Sequence, residues 1–379
     1  MPLTSYNYFW LPKNIRVPKI INTAIIGFGI SGRVFHAPFL VTNPKYNLTT
    51  VLERSTNHAE AIYPSIRTVR SIEQILNDSS IDLVIITTPN ETHFPFAKQA
   101  MLAGKHVVVE KPFTNNTNDA KELIDLAEKQ KVVLSVYHNR RYVSDFKTIR
   151  EILNKNLLGE PVIFEGYYDR YRPEKKINAW REENKPGSGI LFDLGSHLID
   201  QALVLFGQPK KITALIRIQR KEVKADDYFD LHLDYGLLQV RLRGGMLVRE
   251  MGPRYMIHGT RGSFIKWGND TQEDHLKSGG MPGDKNFGEE PEEIWGLIHT
   301  EIDNKVIRQK YPSHKGDYGG YYDDLYETIV NGAPLQVTPQ QAHNTIRVIE
   351  LAIESNHKEC AVECDGFLVR ETANVKRQT

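Results

Sequence analysis

Three groups of residues in this chain carry chemistry by their type and spacing. The first is Gly27-Phe28-Gly29-Ile30-Ser31-Gly32, a G-x-G-x-x-G run that follows an apolar stretch and opens an amphipathic one. In such a loop Gly27 permits a tight turn, Gly29 lets the backbone approach a pyrophosphate, and Gly32 lets a helix pack close to a sheet. The free N–H groups and positive dipole end of that helix suit phosphates. About 20 residues on, where a ribose-binding acid is expected, stands Glu53, followed by Arg54 and Ser55. A carboxylate there can bond both ribose hydroxyls and repel a 2′-phosphate, which favours NAD. A guanidinium there can instead pair with that phosphate or stack on adenine, which favours NADP. The cofactor read from these residues is therefore NAD or NADP.

The second group is Glu110-Lys111-Pro112, directly after the apolar run ending at Val109. Ligands of open parallel sheets bind beyond the carboxyl ends of the strands. A lysine leaving a buried strand there can hydrogen-bond a reacting hydroxyl; as a plain turn lysine it would only be solvated. By the same rule Thr87, Thr88, Pro89 and Asn90, with His93, Glu110, Lys111 and Asn139, line the cofactor cleft. The third group is Asp193-Leu194-Gly195-Ser196-His197. If a helix begins here, Asp193 and His197 share one face. A carboxylate beside an imidazole raises its basicity and fixes its tautomer, as a general base near neutral pH requires. Arg140, Tyr171 and Trp180, with Tyr168 and Arg170 as further candidates, could give a polyol the donors and acceptors it needs. Arg140 and Arg141 could equally pair with Asp145 or Glu151.

These groups need a scaffold that holds them together. From residue 19 to 138, short apolar runs at 20–26, 48–52, 81–86, 106–109 and 132–136 alternate with amphipathic stretches at 32–41, 71–77, 92–103 and 116–129. In the last stretch Ala120, Leu123, Ile124 and Ala127 recur with helical period. Strands alternating with helices predict βαβ units and a parallel sheet, an α/β Rossmann domain. From 139 to 379 the rhythm changes. A helix at 145–153 precedes extended runs at 162–168, 212–218, 228–235, 238–243, 255–258 and 263–267, and helices at 322–330 and 340–355 follow. That order predicts an α+β domain with a large, mainly antiparallel, open-faced sheet.

Composition narrows the partners. The chain has 379 residues, 48 Lys plus Arg against 47 Asp plus Glu, for a net charge of +1. No basic excess exists to neutralise a phosphate backbone, so no nucleic-acid partner is expected. No apolar run reaches membrane-spanning length, and residues 1–18 lack a signal-peptide pattern; they read as a surface arm, and the protein as cytoplasmic. Cys360 and Cys364 are the two cysteines, and no His or Cys cluster has metal-ligand spacing, so no metal is expected.

The glycine loop, Glu110-Lys111-Pro112 and the Asp193–His197 segment together resemble the glucose–fructose oxidoreductase and inositol dehydrogenase (Gfo/Idh/MocA) family. The likeness runs from Lys19 to about Val369. Ser135-Val136-Tyr137-His138-Asn139-Arg140-Arg141, Arg170-Tyr171-Arg172-Pro173, Asp193 to Gln201, the segment from Gly252 to Gly259 and that from Ser263 to Gly268 are similar to its scyllo-inositol dehydrogenase branch. The resemblance implies an NAD- or NADP-dependent dehydrogenase acting reversibly on a CH–OH group of a cyclitol or sugar. It implies that Lys111 contacts the reacting hydroxyl, His197 is the general acid/base and Asp193 supports it. It also implies a homo-oligomer, dimer or tetramer. One departure stands out: the NADP-using members have a small polar residue where this chain has Glu53. A hexose or anhydro-sugar reductase, and a non-catalytic dinucleotide-binding regulator, are the alternatives.

Overall fold

The computed structural model describes residues 19–176 and 179–364; the expected arm at 1–18 lies outside them. The first half forms six strands: β1 (Ile21–Ile26), β2 (Tyr46–Leu52), β3 (Arg67–Val69), β4 (Leu83–Ile86), β5 (His106–Val109) and β6 (Leu134–Val136). All pair in parallel, in the order β3-β2-β1-β4-β5-β6. Helices cover both faces, so the inner strands are largely apolar; Leu83, Val84, Ile85 and Ile86 of β4 are all fully buried. The order reverses between β1 and β4, and the crevice beyond that switch point is where a dinucleotide binds in such sheets. β3 was not expected, because three residues are too short for an apolar run to register.

Beyond β6 the chain builds a nine-stranded sheet: β7 (Pro161–Asp169), β8 (Lys211–Arg217), β9 (Tyr228–Asp234), β10 (Gln239–Gly245), β11 (Tyr255–Gly259), β12 (Gly262–Lys266), β13 (Gly296–Ile302), β14 (Lys305–Tyr311) and β15 (Val362–Glu363). Only β7 and β10 run parallel; every other pairing is antiparallel, as expected. Sequence reading misses β13 and β14. The run Lys-Val-Ile-Arg-Gln-Lys-Tyr of β14 is exposed along most of its length and shows no apolar alternation. Along β9, Phe229, Leu231 and Leu233 face the core and His232 faces out. The opposite face carries ion pairs, Arg241–Asp230 at 2.6 Å and Arg243–Asp169 at 2.5 Å.

The helix Pro339–Lys358 packs on β8 and on the helices Thr117–Gln130 and Ser196–Phe206, joining the halves. It opens with a capping box in which Thr338 and Gln341 satisfy each other's free N–H groups. The helix Gly319–Asn331 brings Tyr321, Tyr322 and Tyr326 back onto the first half, where Tyr322 stacks on Phe39 with ring centroids 6.1 Å apart. The last helices thus complete the core of the cofactor half, although they follow the second sheet in sequence.

Candidate active site

The glycine loop leaves β1 through Gly27, whose φ of +94° suits a residue without a side chain. A Cβ on Gly32 would lie 2.6 Å from the Gly27 carbonyl, so the turn closes only over glycine. Thr87 locks it from β4, its hydroxyl donating to the Gly27 carbonyl at 2.8 Å. Gly29 is different: a Cβ there would meet nothing within 4 Å. The protein does not need its bareness, but a pyrophosphate at the loop does. Gly29 and Ile30 are exposed, while Phe28 is buried beneath them. The residues therefore fit a dinucleotide. After the loop comes a π-helical turn, Ser31–His36, and then a short α-helix, Ala37–Thr42, in place of one continuous helix.

Glu110 binds the loop to β5. Its Oε1 accepts from the Ser31 hydroxyl and lies 3.0 Å from His36 Nε2, and its Oε2 accepts from the Lys111 N–H at 3.0 Å. Burial raises the carboxyl's pKa, but His36, Ser31 and Lys111 override it and hold it down at about 2. Glu110 is thus a permanent anion that sets the loop and the lysine at once. His93 bridges the carbonyls of Thr88 and Pro112, at 3.0 and 2.9 Å, and so steadies the backbone beside Lys111. Thr88 and Pro89 receive the Thr92 hydroxyl at 2.6 and 2.7 Å.

Lys111 is largely buried, and its ammonium donates to the Asp193 carbonyl at 2.7 Å and to Asp193 Oδ1 at 2.8 Å. Arg181 Nε lies 3.5 Å from the same oxygen. Burial opposes ionisation of Asp193, but Lys111, Arg181 and Arg170 hold its carboxyl well below the usual range. His197 stands in the first turn of the helix Ser196–Phe206 and is 6% exposed. Its Nδ1 is buried without a hydrogen-bond partner. Burial, then Lys111, Arg140, His138 and Arg254, push its pKa well below the ordinary value, so the imidazole is neutral near pH 7.

Here the structure corrects an expectation. Asp193 does not raise the basicity of His197; its carboxylate serves Lys111 instead. The cause is local: Leu191–Gly195 is a π-helical turn, whose wider pitch upsets the i, i+4 alignment assumed for an α-helix. The lysine also offers a full charge at hydrogen-bond distance.

Other candidates are placed as follows. Asn139 is buried just past β6. Arg140 pairs with Glu273 and donates to the Tyr318 hydroxyl at 2.7 Å, and Arg141 holds Asp200 through two bonds of 2.5 and 2.8 Å, so Glu273 and Asp200 stand where the sequence offers Asp145 and Glu151 as partners. Tyr168 is buried 6.2 Å from His197, ring to ring, with the Arg254 guanidinium over its ring, 3.4 Å from the ring centre. Arg170 is half-buried, and its side chain makes no ion pair with the described residues. Tyr171 is exposed under Arg249, and Trp180 lies beneath Arg181, 4.7 Å from its ring centre. Asn90 is a loop holder: its amide donates to the Gly187 carbonyl at 2.8 Å, tying the segment after Trp180 to the first half.

Glu53 also departs from its expected place. Its carboxylate turns back into its own loop, accepting from the Thr56 hydroxyl at 2.6 Å and from the N–H groups of His58 and Ala59 at 3.2 and 2.9 Å. Arg54 and Ser55 are exposed.

Sequence reading missed His138 and Arg181. His138 is 2% exposed, lies 3.8 Å from Asp200, and has neither ring nitrogen hydrogen-bonded. It sits just past β6, so the rule that singled out Asn139 covers it equally. Arg181 carried no signal, since only folding brings it to Asp193. Among the described residues no cluster of three or more His, Cys, Asp or Glu could hold a metal, and no helix is long and apolar enough to cross a membrane.

Comparison with known proteins agrees with this arrangement. A model described as "Oxidoreductase family, NAD-binding Rossmann fold" matches residues 21–138. One described as "Oxidoreductase family, C-terminal alpha/beta domain" matches residues 150–363. The chain is 41% identical to scyllo-inositol 2-dehydrogenase (NADP(+)) IolW of Bacillus subtilis, over 92% of this chain and 97% of that one. It is 38% identical to the oxidoreductase YdgJ of Escherichia coli, over 88% and 96%. Among solved structures, the oxidoreductase yvaA of Bacillus subtilis superposes with a TM-score of 0.89 at 41% identity, covering 92% of this chain and 99% of that one. With a dinucleotide-binding Rossmann half, a lysine and an acid joined at its crevice and both family models matched in order, this chain is an oxidoreductase of the Gfo/Idh/MocA family.

Proposed function

We propose that the chain catalyses reversible hydride transfer between a nicotinamide dinucleotide and a CH–OH group of a cyclitol or sugar, as a scyllo-inositol dehydrogenase does. The observation that carries this reading is the Lys111–Asp193 pair set beside a buried, neutral His197. The nicotinamide, when bound, takes or gives the hydride. The chain's own residues handle the oxygen and its proton. Lys111, fixed by Asp193, donates to the substrate oxygen and stabilises the negative charge that grows there. His197, neutral, accepts the hydroxyl proton during oxidation and returns it during reduction. The nearby cations make the imidazolium a strong acid, which favours that return. Glu110, Thr87 and the glycine loop hold the dinucleotide side, and Arg170, Tyr168 and Trp180 offer polar and stacking surface to a polyol.

A panel of inositols, aldoses and anhydro sugars, assayed with NAD and with NADP, tests the reading. Turnover of an inositol above the other sugars is expected. Dinucleotide binding with no turnover of any polyol would instead indicate a regulator. The open face of the second sheet, with Arg241, Asp230, Arg243 and Asp169, is the surface for pairing with a second copy. Sedimentation showing a dimer or tetramer is expected, and a monomer at all concentrations would reject it.

A further inference from the structure

Buried polar atoms are costly to leave unpaired, and one that stays so in a native fold calls for a reason. Four such atoms belong to residues around the candidate base: Nδ1 of His197, the Ser196 hydroxyl and both ring nitrogens of His138, none with a hydrogen-bond partner among the described residues. His197 and His138 are 6% and 2% exposed. With Nδ1 enclosed, Nε2 is the nitrogen that His197 can show to the crevice.

One helix face gathers these residues. In the helix Ser196–Phe206, Asp200 follows Ser196 by four residues and His197 by three, so it neighbours both on the helix surface. His138, just past β6, lies against the same acid, its Nε2 3.8 Å from Asp200 Oδ1. Arg141 fixes Asp200 in turn by donating to both carboxylate oxygens. The two rings thus share one anchored carboxylate, and His138 is among the groups whose charge His197 feels.

Their surroundings differ in sign. The charges acting on His138 are two anions, Asp200 and Glu110, and two cations, Arg141 and Lys111. The foremost charges on His197, besides His138, are the cations Lys111, Arg140 and Arg254. An imidazolium is therefore better tolerated on His138 than on His197.

We propose that His138 is a positioning residue that acts through His197, accepting its Nδ1 proton as the substrate hydroxyl gives its own to Nε2. In oxidation the substrate O–H bond breaks and an N–H bond forms at Nε2 of His197. The Nδ1–H bond breaks and an N–H bond forms on His138. The electron pair of the substrate C–H bond leaves as hydride to the nicotinamide. His197 ends neutral with its tautomer exchanged, and Asp200 balances the proton on His138. Reduction runs the same steps backwards. Direct contact or one shared water serves equally, because both pass a proton along hydrogen bonds. The inference rests on His197 being the base of the proposed reaction.

Nitrogen-15 NMR of the imidazoles in the full chain tests the pairing without turnover. The His197 proton is expected on Nδ1 in the wild type and should shift towards Nε2 in His138→Phe, which leaves Nδ1 no acceptor. A wild-type proton on Nε2, or a tautomer that the substitution leaves unchanged, overturns the inference. Kinetics with scyllo-inositol and the oxidised dinucleotide tests the transfer itself. His138→Gln, which can hydrogen-bond but cannot take up a proton, should lower kcat roughly tenfold or more and move KM by less than about twofold. Its solvent isotope effect should depend linearly on deuterium fraction, as for one moving proton, where the wild type shows the curvature of two. A kcat within about twofold of wild type, or a change in KM alone, overturns the relay. Thermal melts check that both variants are folded. The tautomer shift without turnover of scyllo-inositol by the wild type counts against the polyol reading and leaves the pairing of the two rings standing.

Discussion

The Lys111 ammonium is held by two oxygens of one residue, the carbonyl and Oδ1 of Asp193, at 2.7 and 2.8 Å. The contact joins the exit of β5 to a π-helical turn 82 residues later, so one lysine is fixed by both halves of the molecule. Placing an ion pair in a half-buried crevice costs solvation. The cost is reasonable where the charge must face a developing alkoxide. Lys111→Ala and His197→Ala should each lower kcat by roughly 100-fold or more, the scale of general acid–base catalysis. Steady-state kinetics of the folded variants checks this, and near wild-type turnover by either contradicts it.

The electrostatics of His197 can be read directly. After burial, Lys111 is the foremost cause of its lowered pKa. Lys111→Met should therefore raise the pKa of His197, followed by NMR of the imidazole carbons. An unchanged titration would mean that burial alone sets it.

Gly29 and Gly32 separate binding from folding. A Cβ on Gly29 meets no protein atom within 4 Å, whereas one on Gly32 would stand 2.6 Å from the Gly27 carbonyl. Gly29→Ala should leave the melting temperature nearly unchanged and weaken dinucleotide binding by roughly tenfold or more. Gly32→Ala should lower both. Calorimetry and thermal melts of the two variants distinguish these outcomes.

Stability should fall in mild acid. Burial, against the nearby Asp200, lowers the His138 pKa to about 4, while the unfolded chain protonates near the ordinary 6.5. Between those values the unfolded state binds the extra proton, so the stabilising effect is complete above 6.5 and lost as pH falls towards 4. His138 alone accounts for about 3 kcal/mol at the bottom of that window. His138→Gln should flatten the pH dependence of denaturant unfolding between these limits, whatever it does to stability at pH 7.

Much of this was legible in the sequence because some residue types have few uses at their positions. The glycines of the 27–32 loop and Lys111 after an apolar strand announce a crevice, and the phasing of Ala120, Leu123, Ile124 and Ala127 announces a helix. The rest depended on direction and on distance along the chain. Glu53 as a letter does not say that it points into its own loop. Asp193 and His197 align only if the turn is α-helical, and it is π. The partners of Arg140 and Lys111 lie 133 and 82 residues away, where no local pattern reaches. β14 was invisible because exposed edge strands lack apolar alternation.

In the proposed reaction this chain removes hydride from a cyclitol carbon while Lys111 and His197 handle the oxygen. Incubation with C-deuterated scyllo-inositol and the oxidised dinucleotide tests it most directly, with NMR reading deuterium at nicotinamide C4. Deuterium is expected at that carbon with the wild-type chain and essentially none with Lys111→Ala or His197→Ala. Dinucleotide bound by the wild-type chain but left unlabelled by this and every other deuterated polyol would contradict it.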